Sequence, residues 1–321
     1  MVALGSARRL REPPLDQPHA SPDATPEAAR PSPPPSACHA DQARPDFVCV
    51  GGMRCGSTTL WRMLRAHPGV FLPDRKELHH FDRDDAGGDA GYAAWFADAP
   101  AGAVRGEFTP SYMTRDGVPE RIAAALPGVK ILIILRDPME RAWSHYWYRV
   151  RQGAERRSFL RAVREEPRDR RPDAWRWAYC GWSRYADPVA RCLDVFGADR
   201  VRVVFCEELL ADPAGVLDGI LGFLGLDAAG FTVERAPESN AMVTPRLRTL
   251  FWMTKRVDKA MRGRGGPARL VQRACFRASS MNLRQRRMPV PDAVRARHAE
   301  WFGRSDTRLR ELLGRTLPWD R

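Results

Sequence analysis

The 321-residue chain is 44% hydrophobic and 9% aromatic, which is enough for a sizeable buried core, and we expect one large globular domain. Its 52 Lys and Arg against 39 Asp and Glu give a formal net charge of +13, which favours anionic partners such as a phosphorylated cofactor, a polyanionic sugar, an acidic lipid or nucleic acid. The sequence predicts neither a signal peptide nor a transmembrane segment, since its apolar runs fall well short of the roughly 20 residues that a span needs.

Cysteine usage bears on the cellular compartment and on metal binding. Seven cysteines are scattered along the chain without a CxxC pair. This pattern argues against a disulfide framework and against a structural zinc site. We therefore predict a cytoplasmic protein with reduced thiols and without metal ligands.

The first predicted elements follow a polar N-terminal stretch. Residues 1–44 are rich in Pro, Ala, Ser and Asp, which predicts a disordered tail. PDFVCVGG then has the apolar, β-branched character of a buried parallel strand. The next segment, GSTTLWRMLRAHPG, predicts a helix that is capped by Ser57 or Thr58 and ended by Pro68 and Gly69.

Two later strand and helix pairs complete the predicted core. VKILIILRD, residues 129–137, predicts a strand, and the helix after it begins near Pro138. RVRVVFCEEL predicts another strand, followed by a helix in DPAGVLDGILGFLGL. Strands that alternate with helices predict an α/β fold, with a largely parallel central sheet flanked by helices, in one domain over residues 45–321.

Two charged segments lie outside this pattern. Residues 151–178 are dense in both signs of charge, and residues 245–288 are basic with little acid. Each is interpreted as a solvated helical face or, alternatively, as a substrate contact.

The first strand and helix are joined by a sequence with the outline of a phosphate-binding loop. Backbone N–H groups in a glycine-rich turn, together with the N-terminus of a helix, attract phosphate. Residues 51–58 read GGMRCGST, whereas the Walker pattern GxxxxGK[ST] would have lysine in place of Ser57. Arg54 is the candidate replacement cation, and the hydroxyls of residues 57–59 are candidates for the adjacent phosphate.

A second anion site is predicted at the end of the next strand. Arg136 lies at the carboxyl end of that strand, and Ser144 follows two helical turns later. Both can face a common point beyond the sheet edge, where open α/β folds bind ligands. The two sites together predict a ligand with two separate phosphate groups.

These motifs resemble those of sulfotransferases that use 3′-phosphoadenosine 5′-phosphosulfate (PAPS), and their style is closest to heparan-sulfate sulfotransferases and their bacterial relatives. The resemblance rests on GGMRCGSTTL and on Arg136 with Ser144. It continues, in the family's order over about residues 45–319, through KELHHFD, GEFTPSY, ESNAMVTPR and WFGRSDTRLRELLGRTLPW.

The resemblance implies PAPS as the co-substrate, with no metal ion. It implies that the first loop binds the 5′-phosphosulfate and that Arg136 and Ser144 bind the 3′-phosphate. The donor-binding residues that it implies are Arg54, Cys55, Gly56, Ser57, Thr58, Thr59, Arg136, Ser144, Tyr185, Arg286 and Arg287.

The resemblance also implies catalytic roles. Glu77 is the implied base that takes the proton of the acceptor, His79 is the competing base, and Arg54 is the cation that holds the sulfonate. Two positions depart from the family pattern, because Arg54 replaces the usual loop lysine and Phe108 replaces a lysine that is frequent in GEKTP. A guanidinium stabilises charge but does not readily donate a proton.

We therefore expect a sulfotransferase that acts on a hydroxyl, or alternatively an amine, of a carbohydrate, a glycolipid or a secondary metabolite. A P-loop kinase or NTPase acting on a small molecule is the alternative, disfavoured by Ser57 and by the lack of a clear Walker-B carboxylate. A third class is a non-enzymatic protein that binds nucleic acid or a membrane through residues 245–288. We expect no nucleic-acid partner, and peripheral membrane contact, the acceptor and the oligomeric state stay open.

Overall fold

The computed structural model describes residues 44–83, 88–167, 174–228, 231, 243–261, 266–285 and 288–320. The predicted tail up to residue 43 lies outside these residues. So do most of ESNAMVTPR and the basic pair Arg286 and Arg287.

The centre of the fold is a parallel sheet. Its strands are β1 (Phe47–Gly51), β2 (Val70–Phe71), β3 (Val104–Phe108), β4 (Lys130–Leu135) and β5 (Val201–Phe205). They form a five-stranded sheet in the order β2-β3-β1-β4-β5, and every pairing is parallel. The predicted α/β fold with a parallel sheet is confirmed.

Helices connect and flank these strands. In chain order they are α1 (Ser57–Arg65), α2 (Gly88–Ala93), α3 (Val118–Ala125), α4 (Pro138–Arg151), α5 (Phe159–Arg164), α6 (Ala186–Phe196), α7 (Cys206–Ala211), α8 (Pro213–Leu224), α9 (Arg248–Met261), α10 (Pro267–Met281), α11 (Asp292–Arg295) and α12 (His298–Leu313). A short antiparallel pair, β6 (Val243–Pro245) with β7 (Leu283–Gln285), lies at the ends of the α9 and α10 segment. Within the described residues, no helix is both long enough and apolar enough to cross a bilayer.

Two of the three predicted strands, β1 and β4, are buried at the sheet centre, whereas the third, β5, lies at the edge. All of β1 is buried, and in β4 only Lys130 is partly exposed. A strand covered by helices on both faces needs apolar side chains at successive positions, so it is recognisable without alternation. After β4, the Asp137 carboxylate caps α4 by accepting from the N–H groups of Met139 at 2.8 Å and Glu140 at 3.1 Å.

The start of α1 differs from the prediction. The N-cap is Gly56, in the left-handed region at φ 93° and ψ 9°, and neither Ser57 nor Thr58 caps the helix. Glycine adopts this conformation without the steric penalty of a Cβ atom. The two hydroxyls instead contact Lys76, and the helix ends at Arg65, before the predicted Pro68 stop.

Two strands and one strand end also differ from the prediction. The strands β2 and β3 are absent from the sequence interpretation, because β2 is only two residues long and β3, VRGEF, contains two charges. The predicted strand RVRVVFCEEL ends at Phe205, and α7 begins at Cys206.

A second core forms around α4, beside the one that covers the sheet. It contains Trp143 and Tyr146 of α4, packed with Phe159, Tyr179 and Phe302. The side of α4 that carries these rings is thereby fixed to the C-terminal helices, and this packing orients the polar residues on the same helix.

Candidate functional site

The loop between β1 and α1 lies at the carboxyl edge of the sheet and packs tightly against β4. The N–H of Gly52 donates to the carbonyl of Ile134 at 2.6 Å, and a Cβ on Gly52 would lie only 3.2 Å from that oxygen. A Cβ on Gly56 would lie 3.0 Å from the sulfur of Cys206. Side chains at these two positions would therefore push the loop away from the sheet.

Arg54 connects the loop to α4. Its backbone has φ 67°, and its Nε donates to Ser144 Oγ at 3.1 Å. The guanidinium also lies over the ring of Tyr148, 5.2 Å from the ring centre. The structure thus places Arg54, the predicted cation of the loop, in contact with Ser144, which was predicted to belong to the second anion site.

Positive charge is concentrated around Arg54. Burial, followed by the charge of Arg151 and, more weakly, those of Arg136 and Arg141, lowers the pKa of Arg54 to about 10. The guanidinium is still charged at neutral pH. Because several guanidinium groups repel one another here, a bound anion would relieve that repulsion.

Arg136 follows β4 and is only partly buried. Its Nη2 donates to Glu140 Oε2 at 3.3 Å, and the other oxygen of Glu140 accepts from Arg295 at 2.6 Å. The backbone carbonyl of Arg136 accepts from the hydroxyl of Tyr185 at 2.9 Å. Arg136 is therefore held at both its backbone and its side chain, beside a carboxylate that has a second partner.

Tyr185 and Cys55 lie beneath the loop. Tyr185 is buried, and its hydroxyl lies 3.7 Å from Cys55 Sγ. Burial raises the pKa of the Cys55 thiol to about 11. Ser183 is also buried and accepts from Arg141 Nε at 2.7 Å. These side chains support the loop and α4 from the protein interior, so a ligand above the loop would meet the backbone of Cys55 before its thiol.

Lys76 was not predicted as a site residue, yet it reaches the loop. Its Nζ donates to Ser57 Oγ at 3.0 Å and to Thr58 Oγ1 at 3.3 Å, in the first turn of α1. It also lies 3.3 Å from Oε1 of Glu77. A lysine from the segment after β2 thus places an ammonium group on Ser57, the residue that stands at the sequence position of the Walker lysine. The motif KELHHFD was the available signal, but spacing alone does not show that Lys76 reaches Ser57.

Glu77, His79 and Asp82 form a connected acid–base group. His79 Nε2 lies 3.8 Å from Glu77 Oε2, and His79 Nδ1 lies 3.0 Å from Asp82 Oδ1. Burial would raise the pKa of Asp82, but the hydrogen bond and charge of His79, with help from Arg115 and Ser111, hold it below its usual value. The Glu77 side chain is 46% exposed, so its carboxylate is accessible to a substrate.

The backbone of this segment is held against the end of β3. The N–H of Glu77 donates to Phe108 O at 2.9 Å, and the N–H of Phe81 donates to the Tyr112 hydroxyl at 3.2 Å. Tyr112 in turn donates to the buried carboxylate of Glu107 at 2.9 Å. These bonds allow Glu77 and His79 to keep the left-handed values of φ 64° and 59°, which non-glycine residues rarely adopt.

Two further positions that the sequence analysis named, Thr59 and Phe108, are both buried. Thr59 is buried in the first turn of α1, and Phe108 is buried with its ring packed edge-on against Phe47. In the described part of the chain, no three His, Cys, Asp or Glu side chains are grouped in a way that could hold a metal ion.

The fold and the site define an α/β protein in which a glycine-rich loop, a lysine and several arginines form a positively charged edge of the sheet, next to an accessible carboxylate. The sulfotransferase family model matches residues 88–230. A solved sulfotransferase from Alicyclobacillus acidocaldarius is 27% identical, with a TM-score of 0.61 over 86% of this chain and 98% of that one. The chain is therefore similar to sulfotransferases in sequence and in fold.

Curated sulfotransferases are also similar to part of this chain. Mouse heparan sulfate glucosamine 3-O-sulfotransferase 3B1 is 30% identical over 182 residues, which are 57% of this chain and 46% of the relative. Mouse bifunctional heparan sulfate N-deacetylase/N-sulfotransferase 4 is 28% identical over 198 residues, with 57% of this chain and 22% of the relative covered. The chain therefore spans less than half the length of these two relatives.

Proposed function

We propose that the protein transfers a sulfuryl group from PAPS to a hydroxyl of a carbohydrate-containing acceptor. The observation that carries the proposal is the meeting of three groups at one sheet edge. These are the loop with Arg54, the α4 segment with Ser144, and the segment that holds Lys76 beside Glu77.

The residues at this edge fit a donor with anionic groups at both ends. When bound, PAPS supplies an activated sulfuryl group and a nucleotide leaving group. Lys76, Arg54 and the N-terminus of α1 provide positive charge for the phosphosulfate. Arg136 and Ser144 provide a guanidinium and a hydroxyl for the 3′-phosphate, which is the group that distinguishes this donor from ATP.

Glu77 is the proposed base. Its carboxylate is accessible, and it adjoins both the ammonium of Lys76 and the imidazole of His79. Glu77 would accept the proton of the acceptor hydroxyl. The imidazole of His79, oriented by Asp82, would hold the Glu77 carboxylate in place. His79 itself is the competing base, and the loss of transfer in Glu77→Gln with His79 intact would favour Glu77.

Lys76 and Arg54 divide the role that one loop lysine has in the family pattern. Lys76 lies on the hydroxyl groups at the start of α1, and Arg54 is turned toward α4 by Ser144. Both cations stabilise negative charge, and neither needs to change its protonation state to do so. This division accounts for an arginine in the loop without assigning it an acid role.

The acceptor class rests on the relatives. Their names describe action on heparan sulfate, at a 3-hydroxyl in one group and at nitrogen in the other. A sugar hydroxyl is therefore the proposed target, and an amino sugar is the alternative.

Calorimetric titration with 3′-phosphoadenosine 5′-phosphate, with AMP and ATP as controls, tests the donor site. We expect binding that depends on the 3′-phosphate. A radiolabelled sulfate donor and desulfated polysaccharide or amino-sugar acceptors then test transfer, with Glu77→Gln as the control that keeps nucleotide binding. ATP hydrolysis with magnesium, or a preference for ATP, would instead support a P-loop kinase or NTPase.

A further inference from the structure

Helices α9 and α10 form a basic helix pair with an exposed apolar surface. They pack against each other, and Thr254 Oγ1 of α9 lies 2.7 Å from Ser279 Oγ of α10 in their contact. Phe251 turns inward and is buried, and the ring of Trp252 lies 4.8 Å from the Arg156 guanidinium after α4. One side of the pair is thus fixed to the protein, and the opposite side faces solvent.

The solvent side carries large apolar side chains. On α9, Leu250, Met253 and Val257 are exposed and recur at helical spacing, so they share one face. On α10, Leu270 is 67% exposed and Met281 is 80% exposed. Single exposed apolar residues are common, but a row on two adjacent helices indicates an interaction surface.

Charge in this part of the chain is almost entirely positive. Residues 245–288 contain thirteen Lys and Arg and one Asp, so this segment carries +12 of the chain's formal net charge of +13. Four arginines on the two helices are exposed beside the apolar residues: Arg256, Arg269, Arg273 and Arg277. Described arginines of this basic segment therefore lie next to the apolar side chains.

We propose that the basic helix pair binds an anionic membrane surface, with its apolar side chains in the headgroup region and its arginines on lipid phosphates. Amphipathic helices with basic residues beside Leu, Met and Phe bind lipid interfaces in this way. A polyanionic sugar or a nucleic acid would use the arginines but would leave Met253, Leu270 and Met281 in water. A second copy of the chain would bring like charges together, which disfavours a homodimer through this face.

Vesicle flotation with the full chain tests the proposal. Neutral phosphatidylcholine vesicles are compared with vesicles that also contain phosphatidylglycerol. The apolar variant combines Met253→Gln, Leu270→Gln and Met281→Gln. The charge variant combines Arg269→Gln, Arg273→Gln and Arg277→Gln.

The control variant removes the same charge from other exposed surfaces, through Arg62→Gln, Arg202→Gln and Arg304→Gln. Circular dichroism and thermal unfolding confirm that each variant is folded. We expect the wild type to float with anionic vesicles only. The apolar and charge variants should each bind at least about tenfold more weakly, and the control should match the wild type.

Three results would overturn the proposal. Equal loss of binding in the control variant would mean that net charge alone is responsible. Unchanged binding in the apolar variant, or retention on heparin without flotation, would assign the surface to a soluble polyanion. A dimer in light scattering that dissociates in the apolar variant, without flotation of the wild type, would assign it to a second copy.

Discussion

Replacing Arg136 by glutamine separates its contribution to ligand binding from its contribution to folding. The side chain is 30% exposed and pairs with Glu140 one helical turn later, at 3.3 Å. The opposite oxygen of Glu140 stays paired with Arg295 at 2.6 Å in the variant. The substitution therefore leaves no buried carboxylate without a partner.

The expected magnitudes differ between the two effects. A partly exposed Arg–Glu pair at this spacing contributes about 0.3–0.5 kcal/mol, so the free energy of unfolding should hardly change. A charge-assisted hydrogen bond to a phosphate contributes about 1.5–3 kcal/mol, which corresponds to roughly ten- to a hundredfold in affinity. Arg136→Gln should thus weaken binding of 3′-phosphoadenosine 5′-phosphate far more than it lowers stability.

Titration calorimetry measures the predicted loss of affinity. The affinities for 3′-phosphoadenosine 5′-phosphate and for AMP are compared in the wild type, in Arg136→Gln and in Arg161→Gln. Arg161 is a matched control, because it makes the same kind of pair with Glu165, at 2.7 Å, on α5. An unchanged affinity for the 3′-phosphorylated nucleotide, or equal losses for both nucleotides, would refute the assignment of Arg136 to the 3′-phosphate.

Three further changes probe other parts of the molecule. Lys76→Met should reduce nucleotide affinity in calorimetry by about tenfold, because it removes the ammonium from the start of α1, while thermal unfolding stays near that of the wild type. Unaltered affinity would exclude Lys76 from the donor site. Asp82→Asn should change kcat more than KM and should alter the pH dependence of kcat, because His79 loses its charged partner at 3.0 Å. A change in KM alone would contradict this prediction. Burial raises the pKa of Asp306 from 3.8 to about 7, although Trp319 Nε1 donates to its carboxylate at 3.2 Å. The folded state therefore binds the proton more tightly than the unfolded state does. Stability should fall as pH rises from about 4 to 7, by up to about 4 kcal/mol, and Asp306→Asn should remove this dependence from the melting curve.

The sequence was sufficient for the elements that are buried throughout. The strands β1 and β4 are continuous apolar runs because helices cover them, and Pro138 marks the start of α4. The strand β3 was missed because a buried charge is unexpected in a strand. Burial raises the pKa of Glu107, and hydrogen bonds from Tyr92, Thr109 and Tyr112 satisfy its carboxylate.

Side-chain reach limited the prediction of the site. Arg54 was predicted from its place in the loop, but its bond to Ser144 joins residues 90 positions apart. Lys76 was missed for the same reason, since its contact with Ser57 depends on how the segment after β2 folds back over α1. Arg286 and Arg287 lie outside the described residues, so their assignment stays a prediction.

The strand order has a consequence for engineering. The proposed base segment follows β2 and is held by β3, on one side of β1, whereas Arg136 and Ser144 follow β4 on the other side. The loop after β1 and the first turn of α1 contact both sides, through Arg54 and Ser57 respectively. Under the proposed function, libraries confined to the β2 and β3 side would explore new acceptors without rebuilding the proposed nucleotide half, and chimeras with similar sulfotransferases would have an exchange point at β1.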